Sequence, residues 1–283
     1  MELFGKDIIV TIDQQYEMMK KINYLVCLAG VSSIFMAVVS CHRGDAKHNN
    51  MVAQELEVKT FSDKIVFSNN PPESEFGLHC ELEAEVDLPI DGPKPLTDSV
   101  RQFVKGELYH MFDMGGDFFM VEDDLHIPFE KICKWDGENV VTDFISHYRP
   151  LYEKYATGAG TNSLTLKLVS QAETFVSYYE EKNNCAASCN HEYKYYTFRK
   201  TDGLLLEEMI SDVNLRKFVK KYPQYENDEE YYVPFIGLSD RGLLYGTYVA
   251  TGASRGGNHI DTIPYHIVKP YLAEEVQALV QDY

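Results

Sequence analysis

The chain has 283 residues, with 44 Asp and Glu against 26 Lys and Arg, and a formal net charge of -18 at pH 7. That length can bury a substantial core in one large domain or two modest ones. The acidic balance disfavours nucleic acid or an anionic membrane surface as a charge-recognised partner, because phosphate contacts need clustered Lys and Arg; a cationic partner is favoured instead.

Residues 19–41 have the pattern of a complete secretion and lipid-attachment signal. Lys20 and Lys21 form a short cationic start, an apolar run follows over residues 22–39, and Val38-Val39-Ser40-Cys41 closes it as a lipobox would. The apolar run is marginal for a bilayer span, which takes about 20 residues. Acidic residues before Met19 suit no signal peptide, so Met19 is the expected start, with Met18 the close alternative. Residues 1–40 are then a signal peptide, Cys41 is the lipidated first residue, and residues 41–54 are a polar tether. Removing residues 1–40 takes away three of the bases and four of the acids, leaving 243 residues with 23 bases, 40 acids and a net charge of -17. The expected location is the cell envelope, lipid-anchored to a membrane and either periplasmic or surface-exposed.

The folded part is expected from residue 55, as an N-terminal α+β subdomain over 55–160 and a C-terminal domain over 161–283. Residues 55–68 and 78–89 alternate apolar and polar side chains as strands do, with the loop Asn69-Asn70-Pro71-Pro72 after the first. Residues 97–112 place Val100, Phe103, Val104, Leu108 and Phe112 at helical spacing, with Thr97 as cap and Asp98 in the first turn. A second helix is expected over 131–155, with Pro150 marking a kink or break. The period then changes to two: residues 163–184 and 191–203 predict two strands joined through a cysteine-bearing bend, and Thr201-Asp202-Gly203 has turn chemistry. A helix capped by Ser211 follows, then strands over 231–236 and 242–251, then an amphipathic helix over 270–280 with Pro270 in its first position.

Beyond Cys27 and Cys41, four cysteines remain: Cys80, Cys133, Cys185 and Cys189. An exported protein permits disulfides, and the Cys185 with Cys189 pair is the easiest to close. Those two with His191 also have metal-ligand character, but one such cluster lacks the second ligand pair of a structural zinc site, so a disulfide or free thiols rank ahead of a metal, and no metal or other cofactor is expected.

The C-terminal order Asp240-Arg241-Gly242-Leu243-Leu244-Tyr245, Tyr248, Gly257, Ile263-Pro264-Tyr265 and a closing helix resembles the extracytoplasmic domain family shared by the anti-sigma factor RsiV and the accessory region of the peptidoglycan deacetylase PdaC. Asp-x-Gly suits a tight turn at positive φ, and Pro264 suits the end of a strand. The strand holding Cys80 and the helix after Thr97 resemble the family more loosely. Departures are Cys185-Ala186-Ala187-Ser188-Cys189-Asn190-His191 in the middle bend and no Glu after Tyr248. The resemblance implies an α+β fold with a curved, mostly antiparallel sheet, packed helices and a β-grasp-like C-terminal core. It also implies a binding domain and no catalysis.

No nucleophile elbow, phosphate loop, dinucleotide fingerprint or His-Glu-x-x-His is present, and no catalytic residue is assigned. Asp123-Asp124 with His126 superficially offers a deacetylase metal set but lacks a second His cluster. The glycine-rich loop with Arg255, Asn258, His259 and Asp261, beside Tyr245, Tyr248 and Tyr265, is the candidate ligand-binding set for a sugar or peptide. The expected function is a lipid-anchored, non-catalytic binding ectodomain for a cationic, lysozyme-like protein or a cell-wall peptidoglycan ligand. The alternative is a cell-wall-acting hydrolase or deacetylase.

Overall fold

The computed structural model describes residues 54–69, 78–112, 127–135, 137–155, 160–185, 189–225, 232–249 and 259–280. A long antiparallel pair begins it, β1 (Glu57–Asn69) with β2 (Leu78–Asp91). Along β2 the alternation is nearly ideal: Cys80, Leu82, Ala84 and Val86 are fully buried, while Glu81, Glu83 and Glu85 point to the other face. The chain then crosses over through helices α1 (Lys94–Tyr109), α2 (Phe129–Cys133) and α3 (Val140–Tyr155). That crossover lets β3 (Gly160–Gln171) lie parallel to β2, since parallel neighbours need a long connection. The antiparallel strands β4 (Phe175–Cys185), β5 (Cys189–Arg199) and β6 (Leu205–Leu206) complete a six-stranded sheet in sequence order.

Helix α4 (Asp212–Lys221) leads to a second, three-stranded antiparallel sheet, β7 (Tyr232–Leu238), β8 (Gly242–Val249) and β9 (His259–Pro264). The short helices α5 (Tyr265–Val268) and α6 (Glu274–Leu279) follow. The fold is thus mixed α+β with a mostly antiparallel sheet, as expected. No helix among the described residues is long and apolar enough to cross a membrane; residues 1–53, including the signal-like stretch, Cys41 and most of the tether, lie outside the described ones.

Two cores form. The first lies between α1, α2, α3 and one face of the large sheet, where Val100, Phe103, Val104, Phe144, Ile145 and Tyr148 meet Leu82, Leu164, Leu166 and Tyr178. The second gathers Phe175, Met209, Phe218, Leu243, Ile263, Tyr265 and Val276. The division drawn at residue 160 falls inside the large sheet, because Cys80 of β2 pairs with Gly160 itself. Packing divides the chain later: Val176, Tyr178 and Phe198 still belong to the first core, and the second takes over from Leu206, joined by Ala172 and Phe175 at the turn between β3 and β4.

Four local expectations are corrected. Helix α1 starts at Lys94, not Thr97: the Thr97 amide already donates to the Pro93 carbonyl at 2.9 Å, and Pro95 fits a first turn whose amides have no helical partner anyway. The helix expected over 131–155 is broken into α2, a 3-10 turn at Gly137–Asn139 and α3, while α3 itself continues through Pro150. Residues 163–184 form a hairpin rather than one strand, closed by Ala172 donating to Phe175 at 2.9 Å. The closing helix is divided into a 3-10 turn at Lys269–Tyr271 and α6, because Leu272 between them is extended.

Candidate functional site

Strand β4 changes character halfway along one face. Val176 and Tyr178 sit in the first core, and continuing by twos the same face carries Glu180, Lys182 and Asn184, all buried. Helix α1 covers this end and contributes Glu107, one turn beyond Phe103 and Val104 on its buried side. Lys182 Nζ contacts both carboxylates, meeting Glu180 Oε1 at 2.9 Å and Glu107 Oε2 more closely still. From β5 the Tyr196 hydroxyl donates to Glu180 Oε2 at 2.9 Å while its ring packs on Phe103. Across the strand pair, Glu180 faces Lys194 and Lys182 faces Glu192, so charges of opposite sign are in register.

One proton decides how this cluster balances. Burial pushes the Glu180 carboxyl up to about 8, with the adjacent Glu107 charge adding to the rise. Burial acts on Glu107 in the same sense, but the Lys182 charge and a hydrogen bond from Glu180 outweigh it and hold Glu107 down at about 2. Lys182 is raised, because the charges of Glu107, Glu180 and Glu192 overcome its burial. At neutral pH a neutral Glu180 therefore donates to an ionised Glu107, which pairs with cationic Lys182. With Glu180 0% exposed, the trio offers no surface to a substrate; it ties α1 to β4 and stores charge.

The opposite face of β4 and β5 is aromatic near its middle and polar at its hairpin end. Tyr179, Tyr193 and Tyr195 pack with Phe235 of β7, whose close approach requires Gly237: a Cβ there would meet the Tyr195 side chain at 2.5 Å. Toward the hairpin, Asn183 donates to Ser163 Oγ at 3.2 Å and to Glu181 Oε1 at 3.0 Å, and its carbonyl oxygen contacts His191 Nδ1. Cys185 and Cys189 form the disulfide at the tip, the pairing expected from their spacing.

Of the tyrosines in the predicted ligand-binding set, Tyr245 and Tyr265, the two whose side chains are described, do not lie on an open surface. Tyr265 is buried, its hydroxyl donating to the Ser239 carbonyl at 2.6 Å, and Tyr245 is buried in the same core. Both are therefore packing residues, a correction that follows from their inward register on β8 and at the start of α5. Tyr248 and His259 lie on β8 and β9, Asp261 pairs with Tyr245, and Arg255 and Asn258 lie outside the described residues, as do Asp123, Asp124 and His126. Gly242 also differs from expectation: its φ is not positive. The turn is instead held by Ser239, whose Oγ accepts from the amides of Arg241 at 3.2 Å and Gly242 at 3.1 Å. Gly242 is needed because a Cβ would sit 2.3 Å from the Ile263 carbonyl oxygen.

No family model matches the sequence, and no curated protein matches it. The fold is similar to the crystal structure of a DUF3298 family member from Bacteroides fragilis, with a TM-score of 0.53 and 11% identity over 81% of this chain and 100% of that one. A DUF3298 protein from Pseudomonas aeruginosa matches with a TM-score of 0.48 and 9% identity over 80% and 98% of the two chains. DUF3298 is the family of RsiV- and PdaC-type extracytoplasmic domains, so the likeness of fold agrees with the resemblance seen in the C-terminal motif.

Proposed function

We propose that the chain is a lipid-anchored cell-envelope protein whose folded part binds a cationic, lysozyme-like protein without catalysis. The observation that carries this reading is the signal-like stretch at residues 19–41, ending at Cys41, ahead of a fold similar to a DUF3298 protein. The net charge of -17 left once residues 1–40 are removed supports a cationic ligand. The binding test is calorimetric titration of the folded part with lysozyme and, separately, with soluble peptidoglycan fragments. Micromolar binding of lysozyme that weakens steeply with salt is the expected result. Binding of the glycan alone would move the reading to a cell-wall ligand, and binding of neither would end it. Mass spectrometry of the mature N-terminus tests the anchor, with a diacylated Cys41 as the expected first residue.

A further inference from the structure

The hairpin joining β4 to β5 places three soft ligands on one face. Cys185 and Cys189 are directly opposite, their Cα atoms 4.0 Å apart, and His191 follows Cys189 by two residues, so all three side chains share the face that carries Asn183. One ligand atom from each lies within 4.8 Å of the others. His191 is also oriented as a ligating histidine would be. Asn183 gives its amide hydrogens to Ser163 and Glu181, which turns its carbonyl oxygen toward His191 Nδ1. Nδ1 is therefore the donor, and Nε2 keeps the lone pair; a carbonyl partner of this kind fixes ring and tautomer at metal sites. Stacking on Tyr193, with the rings 10° from parallel, holds the imidazole further.

We propose that reduction of the Cys185–Cys189 disulfide opens a site for a zinc-class d10 ion, bound by both thiolates and the His191 ring, with the fourth position open to solvent. The oxidised hairpin has no thiolate to offer, so the site is gated by redox state. A dithiol reductant supplies two electrons and two protons, closing its own disulfide as the Cys185–Cys189 bond breaks. Binding of the ion then releases both thiol protons, and two thiolates neutralise its charge. A tetrahedral ion needs the sulfurs roughly 3.8 Å apart, given metal to sulfur bonds of about 2.3 Å, a separation that directly opposed cysteines reach by side-chain rotation. Two sulfurs and one nitrogen select a borderline-soft ion over magnesium or calcium.

The test is titration of the whole protein with Co2+, before and after reduction by a phosphine that brings no competing thiol. Only the reduced protein should take up one Co2+, with a near-ultraviolet thiolate-to-cobalt band and visible bands of tetrahedral strength, both bleached by Zn2+. Cys189→Ser should abolish the spectrum. His191→Ala and Asn183→Ala should each weaken binding by roughly tenfold or more, whereas Cys133→Ser should leave it unchanged. No cobalt spectrum after reduction, or one indifferent to Cys189→Ser and His191→Ala, overturns the proposal; so does equal uptake by the oxidised protein.

Discussion

The two cores solve the same burial problem with different chemistry. Beneath α1 the polar end of the first core holds Glu107, Glu180 and Lys182, ionisable groups that must satisfy one another because water cannot. The turn that borders the second core is held by neutral groups, Ser239 and the Tyr265 hydroxyl. Buried charges tie stability to pH and make each member depend on the others; neutral hydrogen bonds do neither. The first region should thus respond to titration and to single substitutions far more than the second.

Removing the one cation tests this most severely. Lys182→Met leaves the ionised Glu107 without its cationic partner and should lower the unfolding free energy by about 3–5 kcal/mol, measured by urea titration. Replacing the trio together, as Glu107→Met, Glu180→Leu and Lys182→Met, should recover most of that loss, because apolar groups of similar volume need no partner. A triple variant no more stable than Lys182→Met would break the account.

The pH response comes next. Glu180 titrates at about 8 when folded against an ordinary 4.5, so the folded chain keeps a proton that the unfolded chain releases. Stability should therefore fall as pH rises through that window, at up to about 1.4 kcal/mol per pH unit and on the order of a few kcal/mol in all. Glu107 acts oppositely: its folded value near 2 contributes stability present above 4.5 and lost as pH falls toward 2. Urea titrations at both ends of the upper window should show the slope, and Glu180→Gln should flatten it. An unchanged slope in Glu180→Gln would assign the proton elsewhere.

What the sequence disclosed divides along the same line. Strands β1 and β2 were legible because alternation makes β-structure visible residue by residue, and Ser211 was legible as a cap because it immediately precedes its helix. The hairpin between β3 and β4 was hidden, since Gln171-Ala172-Glu173-Thr174 carries no Gly, Pro or Asn to mark a turn. The charged trio was hidden for a deeper reason. Charged residues face solvent by default, and Glu107 lies 75 positions from Lys182, so only the tertiary fold brings them together. A signal did exist in the register: Glu107 continues the spacing of Phe103 and Val104, and Glu180 and Lys182 continue that of Val176 and Tyr178. The aromatic motif around Tyr245 and Tyr265 misled in the other direction, because a tyrosine in sequence does not say whether its hydroxyl meets a ligand or a carbonyl of its own chain.

Tyr265→Phe measures the neutral region. The variant keeps the ring in the second core but leaves the Ser239 carbonyl without the donor 2.6 Å away. The expected cost is about 1–3 kcal/mol, the desolvation of one buried acceptor. That cost should be the same at both ends of the pH window, unlike the Lys182→Met loss. A pH-dependent cost would mean that the two cores are electrostatically coupled, and the comparison would fail.

Ser211→Ala should give the smallest effect and the sharpest control. Ser211 Oγ accepts from the Asn214 amide at 3.4 Å, the long end of hydrogen-bond range, at the start of α4, whose buried Phe218 belongs to the second core. Losing a cap of that length should cost about 1 kcal/mol or less. The end of the helix does not lose its only restraint, because the Asn214 side chain also donates to the Tyr271 carbonyl at 3.1 Å. Thermal unfolding should therefore show a small, pH-independent decrease, additive with that of Tyr265→Phe, since neutral bonds at separate places share no charge. A loss in the double variant well beyond that sum would show that α4 and the Ser239 turn open as one unit, giving the second core a cooperativity that its neutral chemistry alone does not provide.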